Sequence, residues 1–102
     1  MDINFLMKQA KQMQNQISKI EAEINEMEYE GTAGGASVKA TIKGNMELTS
    51  LSIDEELLEK DNREMLEELV LVAVNSAIKA ATEDKNEKMG ALTQGVKFPG
   101  LF

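Results

Sequence analysis

Ile3, Leu6, Ala10, Met13, Ile17, Ile20, Ile24 and Met27 follow one another at intervals of 3, 4, 3, 4, 3, 4 and 3 residues. This heptad seam, carried by good helix formers, predicts a first helix over almost the whole stretch. At about 1.5 Å per residue such a helix is nearly 40 Å long, more than a small three-stranded sheet covers, so part of its seam needs a further partner. After Met27 the period falls to two: Val38, Ala40 and Ile42 point one way and Lys39, Thr41 and Lys43 the other, as in a strand with one wet face. The glycine cluster from Gly31 to Gly35 and the Gly44-Asn45 pair read as two hairpin turns, which gives three antiparallel strands near 28–32, 36–43 and 46–53. In the third, Met46 and Leu48 share one parity and Leu51 and Ile53 the other, which predicts a bulge near Thr49 and Ser50.

The helical period returns in "DEELLEKDNREMLEELVLVAVNSAIKAATEDKNEKM". Asp61 with Glu64 three residues on suggests a capping box, starting a second long helix that reaches roughly Lys88. Leu66, Leu69, Val70, Ala73, Ala77 and Ala81 form one broad stripe, while Leu71, Val72 and Ile78 fall outside it, so the middle of this helix expects burial on more than one side. The surplus seam residues Ile17, Ile20 and Ile24, with Leu71, Val72 and Ile78, are therefore candidate dimer-interface residues, a two-fold dimer being the default closed solution. The chain ends "GALTQGVKFPGLF", whose glycines and lone proline predict an extended tail from about 90 to 102 with Phe98, Leu101 and Phe102 able to dock. The expected architecture is a single α+β domain spanning 1–102: helix, three-stranded meander, helix, tail.

Composition removes most other possibilities. A chain of 102 residues suits one hydrophobic core. With no cysteine and no histidine it has no disulfide framework, no thiolate chemistry and neither the commonest general base nor the commonest zinc ligand. The serines and threonines lack a histidine to activate them, and no carboxylate or lysine pair is recognisable, so no enzyme is expected. "EGTAGGA" lacks the Gly-Lys-Ser/Thr of a phosphate loop, and "DEELLEKD" lacks the spacing and central glycine of a calcium loop; neither a metal nor a cofactor is expected. The longest apolar run, Leu69 to Val74, is far short of the roughly 20 residues that span a bilayer, so a cytoplasmic protein without a membrane partner is expected. Met13, Met27, Met46 and Met65 sit at core spacings and read as gap-filling core, although Met-rich surfaces also take partner helices.

The formal charge of -7 is unevenly spread. Residues 1 to 20 hold Lys8, Lys11 and Lys19 against Asp2 alone, whereas five glutamates fall in residues 21 to 30 and eight acids against two bases in residues 54 to 68. At about 100° per residue the three lysines line one side of the first helix, opposite its apolar seam. They read either as a solvated face or as a phosphate-contacting ridge, doubled by dimer symmetry. Lys39 and Lys43, on one strand face, carry the same two readings.

Four segments taken in order, "LMKQAKQMQ", "EGTAGGASVKATIKG", "SIDEELLEKDNREMLEELVLVAVNSAIKAA" and a Gly/Pro-rich end closing on Phe, resemble the YbaB/EbfC family of small bacterial nucleoid-associated proteins from about residue 5 to the end. The resemblance implies a two-layer α-β-β-β-α homodimer with helices projecting as tweezer arms, localised to the nucleoid and binding double-stranded DNA with little sequence specificity. It implies that Lys8, Lys11 and Lys19 face a duplex, and Lys39 and Lys43 join them as candidate phosphate contacts, in an otherwise acidic chain whose one arginine is Arg63. Such binding is backbone-directed and salt-dependent. The competing expectation is a homodimeric module whose acidic surface recruits other proteins and has no direct DNA role.

Overall fold

The computed structural model describes residues 2–93. Helix α1 (Ile3–Glu26) leads into strands β1 (Glu28–Ala33), β2 (Val38–Lys43) and β3 (Leu48–Ile53), which pair antiparallel in the order β1-β2-β3. Two 3-10 turns, Glu55–Leu57 and Lys60–Asn62, precede helix α2 (Arg63–Thr93). The expected α+β architecture is thus the observed one, and α1 is a straight continuation of its heptad seam, capped where the Asp2 carboxylate accepts the Asn4 amide at 3.0 Å.

The strands pair Gly31 with Ala40, Ala33 with Val38 and Tyr29 with Ile42. These residues face α2, whose Ala73, Ala77 and Ala81 are fully buried at spacings of one turn. Small side chains on both layers let helix and sheet approach closely. The limit is reached at Gly31, where a Cβ would stand 2.1 Å from the Ala73 carbonyl oxygen and 2.4 Å from the Ala77 nitrogen. Gly31 therefore belongs to a strand and not to the turn that its neighbours suggested. The first hairpin turns instead through Gly34, Gly35 and Ala36, with φ of 60°, 64° and 70°. At the other end of the sheet Gly44 performs a second close approach: a Cβ there would lie 1.9 Å from the Ile24 carbonyl oxygen, and its amide donates to the Met27 carbonyl at 2.9 Å.

The bulge lies where parity predicted it. Thr41 faces Ser50 and Ile42 faces Leu48, leaving Thr49 unmatched, so that Leu48, Leu51 and Ile53 all turn to the α2 side. Yet α2 lies over β1 and β2, and Leu48 and Leu51 remain 46% and 45% exposed on the free edge strand. Three differences concern α2 and the methionines. The helix is entered through the Lys60–Asn62 3-10 turn, with no capping box between Asp61 and Glu64. It also runs through Gly90 to Thr93, so the extended tail cannot begin at 90; residues 94–102, with Phe98, Leu101 and Phe102, lie outside the described residues. Met13 is half-buried, but Met27, Met46 and Met65 are exposed, because none of the described elements covers them.

The molecule is long, 70 × 24 × 16 Å, with a radius of gyration of 19.8 Å. A compact chain of about 100 residues would have about 13 Å. The excess comes from the two long helices, which approach each other: α2 continues to Thr93 past its last fully buried residue, Ala81, and of α1 only Ile24 is fully buried, while Ile3, Phe5, Leu6 and Met7 at its start are exposed.

Candidate nucleic-acid interface

Helix α1 is held to the sheet only by its C-terminal end, where Ile24 packs over Gly44 and Met27 joins the turn. Its seam residues Met13, Ile17 and Ile20 are half-buried and turn toward the body of the chain. Lys8, Lys11 and Lys19, on the opposite side of the helix, are exposed. None of the three has a carboxylate within ion-pair distance among the described residues, whose ion pairs involve Lys43, Arg63 and Lys88. Lys8 and Lys11 have no acid one turn away along α1, while Glu23 lies one turn beyond Lys19.

Lys39 and Lys43 lie elsewhere, on the outward face of β2, and differ from each other. Lys39 is exposed between Thr32 and Ser52. Lys43 is half-buried, pairs with Glu26 at 3.5 Å and stands opposite Glu28 in the ladder, so much of its charge is already balanced. The five lysines thus form two groups: an unopposed row on α1 and a partly neutralised pair on the sheet.

The larger acidic block is segregated by the fold, while the glutamates from Glu21 to Glu30 stay at the C-terminal end of α1 and on β1. The first hairpin touches Leu69 at Gly34, and Asp54 donates its amide to the Ser37 carbonyl, so the block from Asp54 to Glu68 sits at one end of the sheet. The Gly44 turn, at the other end, receives α1. Along a molecule 70 Å long, the lysine row and the main acidic block lie many Debye lengths of about 8 Å apart at physiological salt. Acidic excess at one end does not cancel the field at the other.

Of the candidate dimer residues, Ile24 is already buried within its own chain and Ile17 and Ile20 are half-buried. Leu71, Val72 and Ile78 are 62%, 48% and 37% exposed. Leu71 and Ile78, seven residues apart, share one flank of α2, while Val72 lies about 100° round the helix. Leu48 and Leu51, which the sequence pattern did not single out for an interface, are exposed apolar residues on β3 as well.

A polar cluster marks the place where α2 leaves the sheet. The Tyr29 hydroxyl donates to Asp84 Oδ2, which also receives Lys88 Nζ from the next turn. Burial first, and then the bond to the Asp84 carboxylate, push the Tyr29 phenol up to about 12. Lys88 and then Tyr29 hold the Asp84 carboxyl below its ordinary value. Sequence spacing could have suggested the pairing of Asp84 with Lys88, four apart on a helix, but nothing local points to Tyr29, 55 residues from Asp84.

Among the described residues no group of three potential metal ligands is clustered, and no helix is long and apolar enough to cross a membrane.

Comparison with known proteins accords with this arrangement. The nucleoid-associated protein TTE0040 of Caldanaerobacter subterraneus subsp. tengcongensis is 46% identical over 101 residues, covering 99% of this chain and 91% of the relative. A nucleoid-associated protein of Clostridium perfringens is also 46% identical, covering 99% of this chain and 90% of that one. The crystal structure of the uncharacterized protein HP0035 from Helicobacter pylori superposes with a TM-score of 0.77 at 25% identity, over 90% of this chain and 97% of that one. The sequence model of the YbaB/EbfC DNA-binding family matches residues 1–96, and with relatives this similar over nearly their full length the chain belongs to that family.

Proposed function

We propose that this protein is a homodimeric, nucleoid-associated DNA-binding protein that grips the phosphate backbone of double-stranded DNA with the lysine rows of two α1 arms. The observation that carries this reading is the row itself: Lys8, Lys11 and Lys19 are exposed, on one face of a projecting helix, and have no acidic partner among the described residues. Phosphates are the natural counter-charge for such a ridge, and contacts of this kind give affinity without sequence information. Lys39 adds a weaker contact on the sheet, and Lys43, engaged by Glu26, contributes least. A second copy covers Leu71 and Ile78 on α2 together with Leu48 and Leu51 on the free edge strand, apolar area that the described residues of a lone chain leave exposed. Val72 contributes at its margin, Ile17 and Ile20 are partly engaged within the chain, and Ile24 has no area left to offer.

The test is a titration of labelled duplex DNA with the purified protein at several salt concentrations, read by fluorescence anisotropy. Six lysine contacts per dimer imply a log–log salt slope of about -5 and indifference to sequence. No binding at low salt would overturn the reading. The exposed acidic block from Asp54 to Glu68 favours a second one, a dimeric module that recruits basic proteins. Capture of protein that survives nuclease treatment, with no duplex binding by the purified chain, would select it.

A further inference from the structure

Tyr29 stands where three elements meet. Its ring packs against the cluster of Ile42, Ala77 and Ala81, its hydroxyl donates to Asp84, and the hydroxyl oxygen lies 3.7 Å from Sδ of Met27, the residue that ends α1. Ala81 is the last fully buried residue of α2 among those described, and Asp84 follows it by less than one turn. The bond from Tyr29 to Asp84 is therefore a specific tie between helix and sheet, made just where α2 departs and α1 arrives.

At this junction the Gly44 amide also donates to the Met27 carbonyl at 2.9 Å, which fixes where α1 ends, and the remaining side-chain contacts are weak. Ile24 over Gly44 is a van der Waals approach, and the Lys43–Glu26 pair is a surface ion pair of the kind that contributes little. A phenol bonded to an ionised carboxylate is directional and stronger than a neutral hydrogen bond. Lys88 adds to it by holding the carboxylate charged and in place from the next turn.

We propose that Tyr29 is a positioning residue for the lysine-bearing arm: tied to Asp84 and seated against Met27, it sets the direction in which α1 and α2 leave the sheet. It thereby sets the separation of the two lysine rows in the dimer. This rests on the reading of α1 as the DNA-facing arm only for its effect on binding; the effect on arm direction stands apart from it. Tyr29 touches no DNA in this scheme, and its contribution is preorganisation: an arm that samples many directions must be ordered on binding.

The chain has no cysteine, so spin labels can be placed through Gln9→Cys on exposed α1 and Glu30→Cys on the outward face of β1. Dilution with unlabelled chain restricts double electron-electron resonance to distances within one chain. Tyr29→Phe keeps the ring and removes only the hydroxyl; Asp84→Ala removes the acceptor on a helix and answers the same question should the first variant fail to fold. Both are expected to broaden the distance distribution and to weaken duplex binding by about threefold or more, with an unchanged salt slope because every lysine is retained. A purely structural role would lower the melting temperature and leave the distribution as it was. An unchanged distribution in both variants overturns the proposal, as does a broadened one with unchanged affinity in a protein that binds duplex. Broadening in a protein that binds no duplex at all upholds the positioning of the arm and overturns the DNA reading alone.

Discussion

Gly31 lies directly beneath Ala73: a Cβ built on the glycine would meet the Ala73 carbonyl oxygen at 2.1 Å. The obstacle is helix backbone, which cannot rotate away as a side chain can, so Gly31→Ala must push α2 off the sheet. We expect a loss of about 3 kcal/mol or more in denaturant-derived stability. Gly35→Ala, at a position with open space around it but φ of 64°, is expected to cost less, about 1 kcal/mol. Equal losses in the two variants would show that backbone conformation, and not helix-sheet contact, governs these sites.

Charge reversal separates the two lysine groups. Lys8→Glu with Lys11→Glu is expected to lower duplex affinity by more than about tenfold at low salt and to reduce the salt slope by about one for each lysine replaced. Lys43→Gln, which removes a cation already engaged by Glu26, is expected to change affinity less than twofold or so on the same scale. Anisotropy titrations over a salt series decide the matter; an undiminished slope in the double variant would remove α1 from the interface.

The proposed dimer depends on apolar area outside each chain's own core. Leu71→Lys places a charge where 62% of a leucine is exposed in the single chain. The substitution acts twice at a two-fold interface, so with about 1.5 to 3 kcal/mol per buried leucine the dimer constant should fall by a factor of about 100 or more. Sedimentation should then report the monomer mass while circular dichroism retains the helical signal. A dimer that persists unchanged would relocate the interface.

The Tyr29–Asp84–Lys88 cluster also predicts a pH signature. The Tyr29 phenol is raised in the folded state, so the folded protein holds this proton more tightly than the unfolded chain does. Its contribution is complete below about 10 and is lost as pH rises toward about 12. The Asp84 carboxyl is lowered, so its contribution is present above the ordinary carboxylate range and is lost as pH falls through it. Denaturation midpoints of the protein and of Tyr29→Phe, measured side by side, should therefore converge at alkaline pH. A constant gap between them up to pH 12 would show that the hydroxyl does not make this bond in solution.

How far the sequence alone leads depends on the range of the interaction concerned. The heptad seam from Ile3 to Met27 and the alternation of Val38, Ala40 and Ile42 are local periods, and a period of 3.5 or 2 specifies helix or strand without knowledge of what lies opposite. The bulge at Thr49 was legible for the same reason, because a change of parity within one strand requires an extra residue. The lysine row and the scarcity of acids among its neighbours in the chain were legible, but its distance from the larger acidic block was not. That depends on α1 projecting from the sheet and on the acidic block lying at the opposite end.

What the sequence by itself determined, then, is the order and type of the elements and the side of α1 that carries Lys8, Lys11 and Lys19. Only the tertiary structure decided that Gly31 is a packing residue, that Ile24 is consumed within the chain while Leu48 and Leu51 are left bare, and that Tyr29 reaches Asp84. Each of these depends on where α2 lies across the sheet. That placement follows from the joint fit of Gly31, Ala40, Ala73 and Ala77, small residues far apart in the chain whose meeting no local pattern encodes.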